Sequence, residues 1–215
     1  MIIELTKENS LLSQFIAELR DVNIQKDRMR FRRNLERIGE IFAYEISKKM
    51  KWKSVDTPTP LGISKTATPV EQPVLATILR AGLPLHQGFL NYFDLAENAF
   101  ISAYRKHHSD NTFEIKLEYF ASPDLNGKQV ILSDPMLASG HSILAAYHAI
   151  LQHGTPSHIH IAAIIGSEEG VIYARKNLPE NVTIWLGAID PELNAHSYIV
   201  PGLGDAGDLA FGEKL

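Results

Sequence analysis

The 215-residue chain contains no cysteine, which excludes disulfides, thiolate nucleophiles and cysteine metal ligands, and nothing in it favours an oxidising compartment. No apolar run approaches the roughly 20 residues that span a bilayer. The opening Met1-Ile2-Ile3-Glu4-Leu5-Thr6-Lys7-Glu8 lacks the charged head and apolar centre of a signal peptide. A cytoplasmic protein without a membrane partner is therefore expected. Basic residues are not in excess: 21 Lys and Arg face 25 Asp and Glu, for a net charge of -4. That balance disfavours nucleic acid as a partner and leaves any phosphate to be held by a few placed cations. There is no internal repeat or low-complexity tract, and the length suits one well-buried domain with or without an appendage.

What is present begins with two helical patterns, one near residues 8–20 and a longer one in which Phe31, Leu35, Ile38, Phe42, Ile46 and Met50 recur at spacings of three and four. Thr57-Pro58-Thr59-Pro60 marks a break, and the polar stretch to Pro69 reads as a loop. The chain accordingly divides into 1–70, N-terminal helices and loop, and 71–215, a core. In the core, short apolar strands (Val74 to Leu79, Ala99 to Ala103, Gln129 to Ser133, Ile159 to Ile165, Val182 to Leu186) alternate with helices near residues 84–92, 141–153 and 168–176. Such alternation predicts an α/β fold with a mostly parallel sheet flanked by helices, ligands lying beyond the carboxyl ends of the strands. Thr112 to Tyr119 alternates polar and apolar residues and reads as an inserted β-hairpin arm.

Four segments carry chemistry. Val130-Ile131-Leu132-Ser133-Asp134 is a strand ending in an acid, followed by Pro135-Met136-Leu137-Ala138-Ser139-Gly140-His141-Ser142 running into a helix. Amides at a helix start lack intrahelical acceptors and carry partial positive charge, so this is a phosphate cradle, with Asp134 aimed at a sugar's vicinal hydroxyls. On residue type alone, the same turn also serves as an ordinary Ser-capped helix start. Ile78-Leu79-Arg80-Ala81-Gly82-Leu83-Pro84 is a strand end, a tight turn and a helix start, with Arg80 the one charge in an apolar setting. Tyr104-Arg105-Lys106 follows the next strand. Near the C-terminus, Tyr198-Ile199-Val200-Pro201-Gly202-Leu203-Gly204-Asp205-Ala206-Gly207-Asp208 punctuates glycines with two acids, a pattern that allows close backbone approach to a flat ligand.

Asp134 to Ser142 closely resembles the 5-phosphoribosyl diphosphate (PRPP) loop of the uracil phosphoribosyltransferases, whose usual form has Thr in place of Ser139 and Gly in place of His141. Ile78 to Leu83 resembles the family's diphosphate loop, Tyr104-Arg105 its Tyr-Arg, and Pro201 to Asp208 its uracil-binding segment. The resemblance implies the type I phosphoribosyltransferase fold and the reaction of PRPP with N1 of uracil to give UMP and diphosphate. It further implies that Arg80 and Arg105 meet the diphosphate, that residues 134–142 hold ribose and 5-phosphate, and that Ile199, Gly204 and Ala206 present backbone groups to uracil. Asp205 would face PRPP, assist catalysis and count among the uracil-binding residues. Mg²⁺ is expected to arrive on PRPP and not in a protein cage. A non-proline cis peptide is expected beside Arg80.

Other features weigh less. His107 and His108 sit in a polar stretch and read as solvated. His158 and His160 share a strand face but lack a third ligand, a weak metal pattern. Arg28, Arg30, Arg32 and Arg33 read as a solvated basic face. If the His141 position demands a left-handed backbone, a non-glycine residue there is strained and crowds the phosphate. The competing reading is a regulator or sensor that keeps the fold and binds pyrimidine nucleotides or RNA with weak or no turnover. Family members differ in GTP activation, so a GTP effector stays open. A homodimer or larger homo-oligomer is expected, because the apolar N-terminal helices need burial.

Overall fold

A computed structural model describes residues 1–107 and 113–214, with the backbone alone for 103–107 and 113–117. In chain order the elements are β1 (Ile2–Glu4), α1 (Leu11–Arg20), α2 (Arg28–Ser47), β2 (Trp52–Thr59), β3 (Gly62–Pro69), β4 (Val74–Leu79), α3 (Leu83–Leu90), β5 (Asn98–His107), β6 (Phe113–Ala121) and β7 (Gln129–Ser133). There follow β8 (Met136–Leu137), α4 (His141–Leu151), β9 (His158–Ser167), α5 (Glu168–Asn177), β10 (Val182–Asp190), β11 (Glu192–Leu193), β12 (Ile199–Val200) and α6 (Ala206–Phe211). The main sheet has the order β1-β10-β9-β7-β4-β5-β6, with β8 added beside β9. Every pairing in it is parallel except β5 with β6.

The strands are apolar on both faces because both faces are covered. Leu75 and Ile131 turn toward α1, α2, α3 and α6, whereas Val74, Ala76, Ile78, Val130 and Leu132 turn toward α4 and α5. The α2 stripe of Phe31, Leu35, Ile38, Phe42 and Ile46 is completely enclosed. At roughly 1.5–3 kcal/mol per buried aliphatic or aromatic side chain, these five residues bind α2 firmly to the sheet and α3. Gly39 and Gly88 allow that contact: a Cβ on Gly39 would sit 2.3 Å from the Leu85 carbonyl oxygen.

Several expectations need correction. The stretch to Pro69 is not a loop but an antiparallel hairpin, β2 with β3, in register from Trp52 opposite Pro69 to Thr59 opposite Gly62. Its two faces are both largely exposed, so no apolar alternation marks it in the sequence. β1 joins the main sheet beside β10. β5 continues past Ala103 through Tyr104 and Arg105 because β6, the Phe113–Ala121 strand, pairs with it antiparallel. Thr112 and His108 lie outside the described residues, as do the side chains of Tyr104, Arg105 and His107. The N-terminal helices bury their stripes within the chain, so they supply no reason for a dimer.

Of the β9 histidines, His160 is buried in the core and His158 is half-buried beside it. His160 is bonded to Gln129 and to the Trp185 indole, and His158 to Thr183. Burial, then the neighbouring His158, pushes His160 down to about 3, and burial lowers His158 as well. Among the described residues no helix is long and apolar enough to cross a membrane.

Candidate functional site

The parallel strands end on one edge of the sheet, and Arg80, Asp134, Ser167 and Asp190 are found there, following or closing β4, β7, β9 and β10. The Leu79-Arg80 peptide is cis, as expected. The turn after it is pressed against the next strand end. A Cβ on Gly82 would meet Thr77 Oγ1 at 2.2 Å and the Ser133 carbonyl oxygen at 3.0 Å. The Arg80 loop is thereby seated beside the residue that precedes Asp134.

Asp134 is half-buried, its amide donating to the Ala162 carbonyl at 3.1 Å and its Oδ1 accepting from the Met136 amide at 3.3 Å. That local bond starts the turn carrying the chain through Pro135 and β8 to Gly140. Gly140 caps α4 with φ 82°, the left-handed conformation glycine tolerates. The left-handed residue is thus Gly140, and His141 is the first residue of the helix, so the backbone strain considered for His141 does not arise. Its ring stacks on Tyr173 with centroids 4.6 Å apart, and Nδ1 lies 3.0 Å from Ser139 Oγ. The amides of His141, Ser142 and Ile143 begin the helix without intrahelical acceptors.

α5 buttresses the loop from behind. Ser167 caps α5 by accepting from the Gly170 amide at 2.9 Å while donating to the Ala138 carbonyl at 2.6 Å. Gly170 faces that same carbonyl so closely that a Cβ would stand 1.8 Å from it.

The C-terminal segment folds back onto this edge. Ile199 in β12 is 3% exposed, Val200-Pro201 is cis, and Gly202 and Gly204 have φ 58° and 94°. Ala206 opens α6, which Asp205 caps by accepting from the Asp208 amide at 2.9 Å. Arg80 reaches this segment directly: Nη2 donates to Asp208 Oδ1 at 2.8 Å and to the Gly212 carbonyl at 3.0 Å. Its Nε is buried and has no hydrogen-bond partner among the described residues. Arg80, Ala81, Asp205 and Asp208 meet around Gly207, where a Cβ would lie 3.2 Å from Asp205 Oδ1 and 3.8 Å from Arg80 Nη2.

Sequence reasoning missed the residues that hold this segment. Arg20 at the end of α1 forms a two-bond ion pair with Asp190, at 2.7 and 2.8 Å, and donates to the Gly202 carbonyl at 3.0 Å. Asp190 also accepts from the Gly202 amide at 3.0 Å. The basic run at residues 28–33 is only partly solvated: Arg32 donates to the Ala210 carbonyl at 2.7 Å. Arg30 and Asn34 bond Glu18 and hold its carboxyl at about 2. No local pattern signals any of these contacts, because the Arg20 and Asp190 partners are 170 residues apart.

As an oxygen donor beside the phosphate cradle, half-buried Asp134 suits a hard cation that keeps much of its water. Among the described residues no three His, Asp or Glu side chains are grouped to hold a metal by themselves.

The uracil phosphoribosyltransferase family pattern matches residues 6–213. A uracil phosphoribosyltransferase of Porphyromonas gingivalis is 60% identical over 214 residues, covering 100% of this chain and 99% of its own. A solved Aquifex aeolicus protein superimposes with a TM-score of 0.88 at 29% identity, covering 100% of both chains. A hypoxanthine phosphoribosyltransferase of Staphylococcus aureus, 12% identical with a TM-score of 0.51 over 74% of each chain, shares the fold.

Proposed function

This chain belongs to the uracil phosphoribosyltransferase family, and on that premise we propose that it transfers the 5-phosphoribosyl group of PRPP to N1 of uracil, giving UMP and diphosphate. The observation that carries this reading is the attachment of the C-terminal segment to Arg80, which supports reading the base with that segment and the diphosphate with the Arg80 loop.

The 5-phosphate is assigned to Ala138, Ser139, Gly140, His141 and Ser142, with Pro135, Met136 and Leu137 shaping the loop that leads there. Asp134 accepts hydrogen bonds from the ribose hydroxyls. As the bond from C1 to diphosphate breaks, C1 becomes oxocarbenium-like, and stabilisation of the departing anion dominates the barrier. Arg80 and Arg105 are assigned to that anion. Mg²⁺, entering on PRPP, supplies further neutralisation of the diphosphate charge when bound. Backbone groups of Ile199, Gly204 and Ala206 hold the uracil edge in line, and Asp205 stabilises the attacking nitrogen electrostatically. An Asp205→Ala enzyme that turns over at the wild-type rate would remove Asp205 from this list.

A cytoplasmic setting fits the acidic, cysteine-free composition. Self-association is assigned to the β2–β3 hairpin, where Leu61 is 100% and Ile63 74% exposed, apolar surface that a second copy would cover. Sedimentation of wild type and Leu61→Asp checks it: a monomer in both cases rejects the assignment. The function itself is tested by turnover with PRPP, Mg²⁺ and uracil, with orotate, hypoxanthine and xanthine as competitors. UMP formation with uracil alone is the expected result; turnover with a purine, or none with uracil, overturns the proposal.

A further inference from the structure

Asp208 is itself assigned to no substrate atom, yet it bonds Arg80, the residue assigned to the departing diphosphate. Among the described residues Arg80 Nη2 donates to the C-terminal segment, to Asp208 Oδ1 at 2.8 Å and to the Gly212 carbonyl at 3.0 Å, and the buried Nε–H has no acceptor. The two acceptors are themselves fixed. The Gly212 amide donates to the Asp208 carbonyl at 2.8 Å, the Asp208 amide to Asp205 Oδ1 at 2.9 Å, and Arg32 ties the Ala210 carbonyl from α2. Asp208 is not needed as the helix cap, a role Asp205 fills, so its carboxylate is spent on Arg80.

We infer that Asp208 is a positioning residue that orients the Arg80 guanidinium for diphosphate and so couples occupancy of the base segment to occupancy of the diphosphate loop. The inference rests on the assignment of Arg80 to diphosphate and of Ile199 to Asp208 to the base. A guanidinium presents its donors in a rigid plane, so two fixed acceptors on one nitrogen set the direction of the remaining N–H groups. Holding it there in advance removes side-chain ordering from the cost of binding the anion. Conversely, an anion that locks Arg80 holds Asp208, and with it the start of α6 where Asp205 and Ala206 meet the base. Linkage makes the effect reciprocal: whatever factor diphosphate adds to uracil affinity, uracil adds to diphosphate affinity.

Calorimetry with inorganic diphosphate, Mg²⁺ and uracil, a non-reacting combination, reads this directly. In the wild type, saturating diphosphate should tighten uracil at least about fivefold, the lower end of ordinary coupling. In Asp208→Asn, which keeps the shape and an oxygen acceptor but not the charge, the factor should fall toward one. Uracil affinity without diphosphate should stay within twofold, and kcat/KM for PRPP should drop about tenfold; a purely structural defect would weaken uracil alone just as much. Arg80→Lys, altering the pair from the other side, should lose the same coupling and decides the matter if Asp208→Asn does not fold. Coupling that survives either substitution, or is absent from a wild type that binds both ligands, overturns the inference alone. Failure of the wild type to bind either ligand overturns the site assignment and this inference with it.

Discussion

Gly170→Ala adds a single methyl group, yet the structure places that methyl 1.8 Å from the Ala138 carbonyl oxygen, 2.8 Å from its carbon and 3.0 Å from Leu137 Cδ2. Ordinary contact begins at 3.4 Å, so either α5 or the phosphate loop must retreat by about 1.5 Å. Backbone on both sides leaves no flexible side chain to absorb the shift. The retreat strains the Ser167 bonds to Ala138, at 2.6 Å, and to the residue-170 amide, at 2.9 Å. Overpacking costs about 1–3 kcal/mol and loss of the cap about 1 kcal/mol, against a gain of up to about 1 kcal/mol from alanine's better helix propensity. The net expectation is a loss of about 1–3 kcal/mol by urea denaturation. The kinetic effect should be larger in proportion, because a displacement near 1 Å at a substrate-positioning loop costs on the order of 100-fold. Both are checked on one preparation, by urea midpoints and by kcat/KM for PRPP. A variant within 0.5 kcal/mol and twofold of wild type, figures of about the ordinary surface-substitution range, refutes the claim that α5 seats the phosphate loop.

Four shorter predictions accompany it. Stability should fall with acid through His160: the folded state refuses a proton down to about 3 while the unfolded chain accepts one near 6.5, so the unfolded state binds more protons between those values. From pH 7 to pH 5 this removes about 2 kcal/mol, and His160→Gln should flatten that part of a urea-midpoint profile; an unchanged slope contradicts the assignment. Arg20→Met leaves Asp190, 8% exposed, without its cation, and should cost about 3–5 kcal/mol and weaken uracil more than PRPP; equal losses for both substrates count against the base-segment role. His141→Gly, which restores the family's usual residue, should raise KM for PRPP severalfold by removing the ring stacked on Tyr173, and an unchanged KM removes His141 from the phosphate contacts. Arg105→Ala should reduce kcat on the order of 100-fold with little change in KM for uracil; a loss confined to uracil KM refutes its place on the leaving group.

The legibility of this chain in its sequence follows the range of the interactions involved. The parallel sheet could be read because strands covered on both faces need continuous apolar runs, and Val74 to Leu79 and Gln129 to Ser133 end where the pattern ends. The conformation of the candidate phosphate loop could be read because its signals are local: a strand end, a glycine and a helix start are consecutive in the chain. The β2–β3 hairpin could not, since exposed strands impose no pattern on their side chains. The extension of β5 through Arg105 depended on pairing with a strand later in the chain.

By itself, then, the order of residues determined the family, the fold class and which loops are candidates to meet the substrate, because these reside in short contiguous motifs whose backbone requirements are written locally. Only the tertiary structure decided that Gly140 and not His141 takes the left-handed turn, that Arg20 and Asp190 anchor the Gly202 turn, and that Asp208 holds Arg80. Those contacts join residues up to 182 positions apart, and a distance of that kind closes only when the sheet has brought the strand ends and the C-terminal segment to the same edge.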